Sequence, residues 1–297
     1  MNKRYGYVGI GNMGRPMAAN LARAGHEIII GDLDKVALET FAQEHKNARP
    51  ANGLKAIAQD SDAVFTCLPN GNIVREVVLG EGGLIDGMGT GDLIVDMSSS
   101  SPIGTMELGK ELARRGIRMI DAPVSGGIPR AIDGSIAIMV GGQKEDINKI
   151  RPALEVMGGK IFETGGLGSA HAMKAINNVL SATNLLVSIE ALVIGKKFGL
   201  NPAEMVDILN FSSGKNSATE TKIKEYVLNR KFNSGFSLDL MIKDLETALE
   251  LANEMNIPWF TGNTTHGMYQ AARNQLIENS DNSDVARWIE TNAGVRL

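Results

Sequence analysis

A lysine and an asparagine four residues apart, Lys174 and Asn178, stand in the stretch GGLGSAHAMKAINN, residues 165–178. On a helix that spacing puts both on one face, one turn apart. An ammonium and an amide placed this way can converge on one substrate oxygen. Such a lysine moves a proton. As an ammonium it donates to a forming alkoxide, so carbonyl reduction uses lysine in its ordinary state. Alcohol oxidation needs the neutral amine, which is scarce at neutral pH for a side chain with a reference pKa of about 10.4. Oxidation is therefore expected to rise with pH and reduction to fall at high pH. Asn177 points partly elsewhere and is read as packing or capping.

Proton transfer at an alcohol carbon has to be matched by hydride transfer, and the N-terminus holds a pattern for a hydride carrier. Gly9-Ile10-Gly11-Asn12-Met13-Gly14 is a G-x-G-x-x-G that follows a strand-like run and opens a helix-like one. Gly9 permits the tight turn, Gly11 lets the backbone approach a pyrophosphate, and Gly14 lets helix and strand pack closely. The helix start offers free N–H groups and a positive dipole to the phosphates. The next strand ends at Asp32, spaced as a ribose-binding acid should be. A carboxylate there accepts from ribose hydroxyls and repels a 2′-phosphate. Lys35 is the nearest cation, no arginine stands beside Asp32, and NAD is expected over NADP.

The elements that must position these residues fall into two kinds. Strand-like runs at 5–10, 27–32, 62–69, 92–98, 118–124 and 135–142 alternate with helix-like runs such as 16–25 and 101–116. Alternation of this kind predicts an α/β fold with a doubly wound, mainly parallel sheet of Rossmann type. After about residue 165 strand signals cease and helical spacing dominates. A long helix over 169–198 is apolar on nearly every side, which predicts burial against several neighbours. Another helix starts at Asn201-Pro202 and a further one covers 237–255. The expected domains are 1–164, nucleotide-binding, and 165–297, all-α, joined by the long helix; no internal repeat is visible.

Composition narrows the function classes. The chain has 297 residues, 43% of them hydrophobic and 22% charged, and a formal net charge of −4, which argues against nucleic acid or an anionic membrane as partner. Neither a secretory signal nor a membrane span is expected at MNKRYGYVGIG, where glycines interrupt the apolar run. Cys67 is the only cysteine, so no intramolecular disulfide forms, and a cytoplasmic setting is expected. The four histidines (26, 45, 171 and 266) show no metal spacing, and no tyrosine sits four residues before a lysine as a Tyr-x-x-x-Lys pair requires.

Taken in order, several motifs resemble those of the β-hydroxyacid dehydrogenases over nearly the whole chain. GIGNMGRPMAANLARAGH resembles the family's cofactor loop and first helix, and CLPN (67–70) its Leu-Pro segment, which implies that Leu68 and Pro69 lie beside the cofactor. DMSSSSP (96–102) resembles Asp-x-Ser-Thr-x-x-Pro with Ser99 in the threonine's place. DAPVSGG (121–127) matches the substrate-binding signature, which implies that Ser125, Gly126 and Gly127 hold a substrate carboxylate; their N–H groups and hydroxyl suit that role. GGLGSAHAMKAINN matches the catalytic segment, which implies catalysis by Lys174 and substrate orientation by Asn178. FSLDLMIKDL (236–245) matches the segment that closes over the nicotinamide, placing Phe236, Lys243 and Asp244 near the cofactor. On the residues alone, Phe236 reads equally as core and Lys243/Asp244 as an exposed face.

Three letters depart from the pattern: Ala170 for a glycine, His171 for a frequent glutamine, and Arg130 for a small residue. The resemblance implies an NAD(P)-dependent oxidoreductase acting on a small carboxylate- or sulfonate-bearing 3-hydroxy acid or its semialdehyde. Arg130 is either solvated or meets a second acidic group, and the 212–220 loop shapes that choice. A catalytically silent nucleotide-binding regulatory or scaffold protein is the competing reading. The apolar long helix predicts a homodimer or homotetramer.

Overall fold

Strands Ala63–Thr66 (AVFT) and Leu93–Asp96 (LIVD) are buried at every position. A strand covered on both faces loses the in–out alternation, which is the mark of a parallel sheet lined by helices on each side. In the computed structural model, which describes residues 3–297, that sheet is built from β1 (Arg4–Val8), β2 (Glu27–Gly31), β3 (Ala48–Pro50), β4 (Ala63–Thr66), β5 (Leu93–Asp96), β6 (Arg118–Asp121), β7 (Val124–Ser125), β8 (Ile136–Gly141) and β9 (Gly158–Gly165). The strand order is β3-β2-β1-β4-β5-β6-β8-β7, with β9 paired to β8. The first six pair in parallel, β8 runs antiparallel to β6 and β7, and β9 is parallel to β8. The order reverses between β1 and β4, and their carboxyl ends form the crevice in which such sheets bind nucleotides.

Helices α1 (Gly14–Arg23), α2 (Lys35–Glu44), α3 (Leu54–Gln59), α4 (Gly71–Leu79), α5 (Pro102–Ala113), α6 (Gly127–Ile132) and α7 (Lys144–Met157) connect the strands. Successive side chains of one strand feed opposite layers. Ile28 and Ile30 join one apolar cluster with Met17, Leu21 and Phe65, whereas Ile29 joins the other with Val8, Val64 and Ile94. Three strands were not expected from sequence. The single run read at 118–124 breaks into β6 and the short β7, which pairs with β8. β3 is three residues long and ends in proline, and β9 is a largely exposed, glycine-bounded edge strand with no apolar alternation to reveal it.

The chain divides into two compact units, Met1–Lys174 and Ala175–Leu297. The division falls inside α8 (Ser169–Phe198), beyond the expected position near residue 165, because the first turns of that helix pack with the sheet. Helix α8 has 30 residues, a length of about 45 Å at 1.5 Å per residue, and it spans the stretch expected of it. It ends where Gly199 adopts φ +110°.

The second unit continues with α9 (Pro202–Asn210), a π-helical segment (Ala218–Leu228), α10 (Leu238–Glu254), α11 (Phe260–Arg273) and α12 (Val285–Ala293). Asn201 caps α9 through the N–H groups of Ala203 and Glu204, and Ser237 caps α10 through Leu240. Leu185, Ile189 and Leu192 of α8 are fully buried in this unit's core. By length and composition α8 is apolar enough to cross a bilayer, yet 56% of its most apolar stretch is buried within the protein. One side of it is open: Met173, Leu180, Val187 and Ile194 recur every seven residues and are exposed.

Candidate active site

At the carboxyl end of β1 the glycine loop has the geometry its pattern requires. Gly9 sits at φ +94°, and a Cβ there would meet the Cys67 carbonyl oxygen at 2.3 Å. A Cβ on Gly14 would stand 1.9 Å from the Gly9 carbonyl oxygen, so only glycine allows α1 to start so close to β1. Gly11 is exposed with open space at its Cα, the room a pyrophosphate needs. Asn12 is exposed, and Met13 packs partly against the apolar core. At the end of β2, the Asp32 carboxylate accepts from Ile10 N at 2.8 Å and from Asp34 N at 3.0 Å, which fixes it beside the loop. These residues fit a dinucleotide.

The ends of β4 and β5 complete this edge. Leu68 is half-buried, its N–H donating to Ser98 Oγ at 2.9 Å, and Pro69 is exposed beside it. Asp96 accepts from Thr66 Oγ1, Ser98 N and Ser100 Oγ, which folds the DMSSSSP turn back over β5 and leaves Ser99 half-buried between two buried serines. The lone thiol, Cys67, is pushed up to about 12 by burial and by the Asp96 carboxylate, so it is protonated at neutral pH and no nucleophile.

His171 explains itself here. Its ring is buried; Nε2 faces the Ser98 carbonyl oxygen at 3.0 Å and Nδ1 faces Thr105 Oγ1 at 2.8 Å. A carbonyl only accepts, so Nε2 carries a proton, and the Thr105 hydroxyl satisfies Nδ1. Asp96 and Asp121 carboxylate oxygens lie 3.8 Å from the two ring nitrogens. Asp121 also accepts from the backbone N–H groups of Gly168 and His171, each at 2.8 Å. Burial raises the Asp121 pKa, and the His171 ring with those N–H groups offsets part of the rise. This knot ties the start of α8 to the ends of β5 and β6, and so sets Lys174, half-buried one turn later, at the carboxyl edge of the sheet. Ala170 is fully buried within the first turn of the helix. Sequence reading missed Thr105, Asp96 and Asp121 as partners; the two acids were visible only as letters inside DMSSSSP and DAPVSGG.

Ser125 ends the short strand β7, paired with Ala137 of β8. Gly126 and Gly127 follow with φ +143° and +78°, both exposed, which turns the chain sharply into α6. Arg130 is exposed on α6.

In the helical unit, Asn178 is buried and its Nδ2 donates to the Asp244 carboxylate, while its Oδ1 accepts from Asn177 Nδ2 at 3.1 Å. The other Asp244 oxygen pairs with Lys243 Nζ at 2.8 Å. Lys243 and Asp244 are thus no exposed pair. Asp244 is buried and orients the amide of Asn178, which itself stands one turn after Lys174 on α8. Phe236 packs against this unit's apolar core. No group of three or more His, Cys, Asp or Glu side chains suited to a metal occurs among the described residues.

Comparison with known proteins fits this geometry. Residues 4–166 match the family model described as the NAD-binding domain of 6-phosphogluconate dehydrogenase, and residues 168–289 that described as the NAD-binding of NADP-dependent 3-hydroxyisobutyrate dehydrogenase. A 2-(hydroxymethyl)glutarate dehydrogenase of Eubacterium barkeri is 37% identical over 99% of this chain and 97% of its own length. The chain belongs to the β-hydroxyacid dehydrogenase family. Another relative, 3-sulfolactaldehyde reductase of Escherichia coli, is 31% identical over 97% of this chain and 96% of its own. The solved structure of Mycobacterium tuberculosis 3-hydroxyisobutyrate dehydrogenase with L-serine superposes with a TM-score of 0.89 at 29% identity, covering 97% of this chain and 99% of that one. As a β-hydroxyacid dehydrogenase, the chain is an NAD(P)-dependent oxidoreductase acting on CH–OH groups of hydroxy acids.

Proposed function

We propose that the enzyme interconverts a small 3-hydroxy acid and its semialdehyde, with Lys174 as general acid and base. The observation that carries this is the anchoring of α8 by His171 and Asp121 at the strand ends, on the edge where the glycine loop and Asp32 fit a dinucleotide. The cofactor, when bound, accepts or supplies the hydride. Lys174 takes the hydroxyl proton in oxidation and returns it in reduction. Asn178, held by Asp244, keeps an amide proton for the same substrate oxygen. The N–H groups of the 125–127 turn and the Ser125 hydroxyl hold the substrate carboxylate.

Relatives named for 2-(hydroxymethyl)glutarate and 3-sulfolactaldehyde support a substrate whose reacting carbon lies near an acidic group. The Asp32 carboxylate at the end of β2 favours NAD, since a 2′-phosphate there would meet a like charge. The exposed seven-residue stripe Met173, Leu180, Val187 and Ile194 favours a homo-oligomer, and the lone Cys67 suits a reducing cytoplasm. A kinetic screen of 3-hydroxy acids and semialdehydes with both cofactors tests the reading. It predicts turnover of at least one such acid, with kcat/KM for NAD about tenfold or more above that for NADP. No turnover on any of them would overturn the function, and a preference for NADP would overturn the cofactor assignment.

A further inference from the structure

The helical unit holds a lysine that no carboxylate neutralises. Lys222 lies in the π-helical segment Ala218–Leu228, is half-buried, and donates from Nζ to Ser181 Oγ at 2.9 Å. Among the described residues no carboxylate oxygen lies within 4.0 Å of that Nζ. Three other lysines of the unit are paired, Lys215 with Glu220 at 2.8 Å, Lys243 with Asp244 at 2.8 Å, and Lys224 with Asp207, whereas Lys196, Lys197 and Lys231 are exposed to solvent. Asp281 is the acid whose field reaches Lys222, but its oxygens already accept from Ser234, Gly235 and Ser283. Burial lowers the Lys222 pKa, and Asp281 offsets part of that. A desolvated ammonium is costly unless a counter-charge meets it, and π-helical turns occur often at functional sites.

Position supplies the second line of argument. Ser181 follows Asn178 by three residues, and Asn178 follows Lys174 by four, so the three share one face of α8. Ser181 lies about 4.5 Å beyond Asn178 along the helix axis, a span that a short methylene chain bridges. One ammonium and one hydroxyl match a single negative charge, and the nearby Asp281 disfavours a doubly charged phosphate.

We propose that Lys222 and Ser181 form a second anion subsite, which holds the distal carboxylate of a dicarboxylate hydroxy acid. The subsite selects substrate within the reaction proposed above and rests on that reading for the placement of the reacting oxygen near Asn178.

The test compares 2-(hydroxymethyl)glutarate with 2-(hydroxymethyl)pentanoate, which differ only in the terminal carboxylate. Wild-type enzyme favours the dicarboxylate, and Lys222→Met lowers the ratio of the two kcat/KM values about 10- to 100-fold, as loss of a charge-assisted contact does. Lys222→Arg keeps most of the preference. Ser181→Ala lowers it several-fold and serves if Lys222→Met fails to fold. A ratio unchanged in both Lys222→Met and Ser181→Ala, or an equal loss on both substrates, overturns the proposal. A calorimetric titration of the cofactor-loaded protein with glutarate and with pentanoate separates the two readings, because neither compound reacts. Glutarate binding that weakens about tenfold or more in Lys222→Met supports the subsite even if no hydroxy acid turns over, in which case the proposed reaction alone falls. Turnover with equal glutarate binding by wild type and Lys222→Met leaves the reaction standing and removes the subsite.

Discussion

Each unit of the molecule buries ionisable groups against α8, and the two clusters are built on opposite principles. In the nucleotide-binding unit, His171 meets a carbonyl and a hydroxyl, and the two acids near it accept from backbone and side-chain donors until their oxygens are served. In the helical unit, the Lys222 ammonium meets a single serine hydroxyl. The first cluster is complete and acts as a fastener. The second has no carboxylate within 4.0 Å among the described residues, only the more distant Asp281, and the missing member is of the kind a substrate brings. Satisfaction of polar groups, more than burial itself, separates a structural cluster from a binding one.

That contrast can be broken by substitution. Replacing His171 with leucine leaves the Ser98 carbonyl and the Thr105 hydroxyl without partners, and two carboxylates without the ring between them. The expected cost is about 3 kcal/mol in urea unfolding, from orphaned buried polar groups. His171→Gln restores a donor and is expected to cost about 1 kcal/mol. If leucine proved neutral, the knot would not be the fastener described.

Lys222→Met should act in the other direction and more weakly. The folded-state pKa of Lys222 lies below its unfolded value of 10.5. Below the folded pKa the burial penalty is fully present; between the two values the unfolded chain binds the extra proton, so wild-type stability rises with pH and the penalty disappears above 10.5. The variant carries no such group. Lys222→Met is therefore expected to be more stable than wild type near pH 7, with the difference closing toward about pH 11, read as the difference in melting temperature. A variant less stable than wild type at neutral pH would show that Lys222 is a structural partner of Ser181 and no waiting cation.

Local signals made much of this legible. The glycine loop, α8 from 169 to 198, the Asn201 cap and the helix beginning at Ser237 rest on interactions within a few residues, and each stands where its pattern put it. Strand β9 escaped because an exposed edge strand carries no apolar alternation. The π-helical segment escaped because its hydrogen bonding leaves no distinct spacing in TETKIKEYVL. The site partners were hidden for a different reason. Asn178 meets Asp244 across 66 residues and His171 meets Ser98 across 73, and no periodicity reports which distant letters the fold will join. His171 reads in sequence as a hydrogen-bonded helix histidine whose partners stay unnamed, and Lys222 is one of several charged letters in TETKIKEYVL, where a solvated side chain is the ordinary meaning; burial and partners in three dimensions set both apart.

The central claim is that Lys174 moves the substrate proton. Its most direct test follows nicotinamide absorbance in a single turnover of wild type and Lys174→Ala, alongside the dissociation constant of the cofactor. The account predicts that hydride transfer slows by about 10²- to 10⁴-fold while cofactor affinity stays within about twofold, since the glycine loop and Asp32 are untouched. Hydride transfer at an undiminished rate in Lys174→Ala would contradict it.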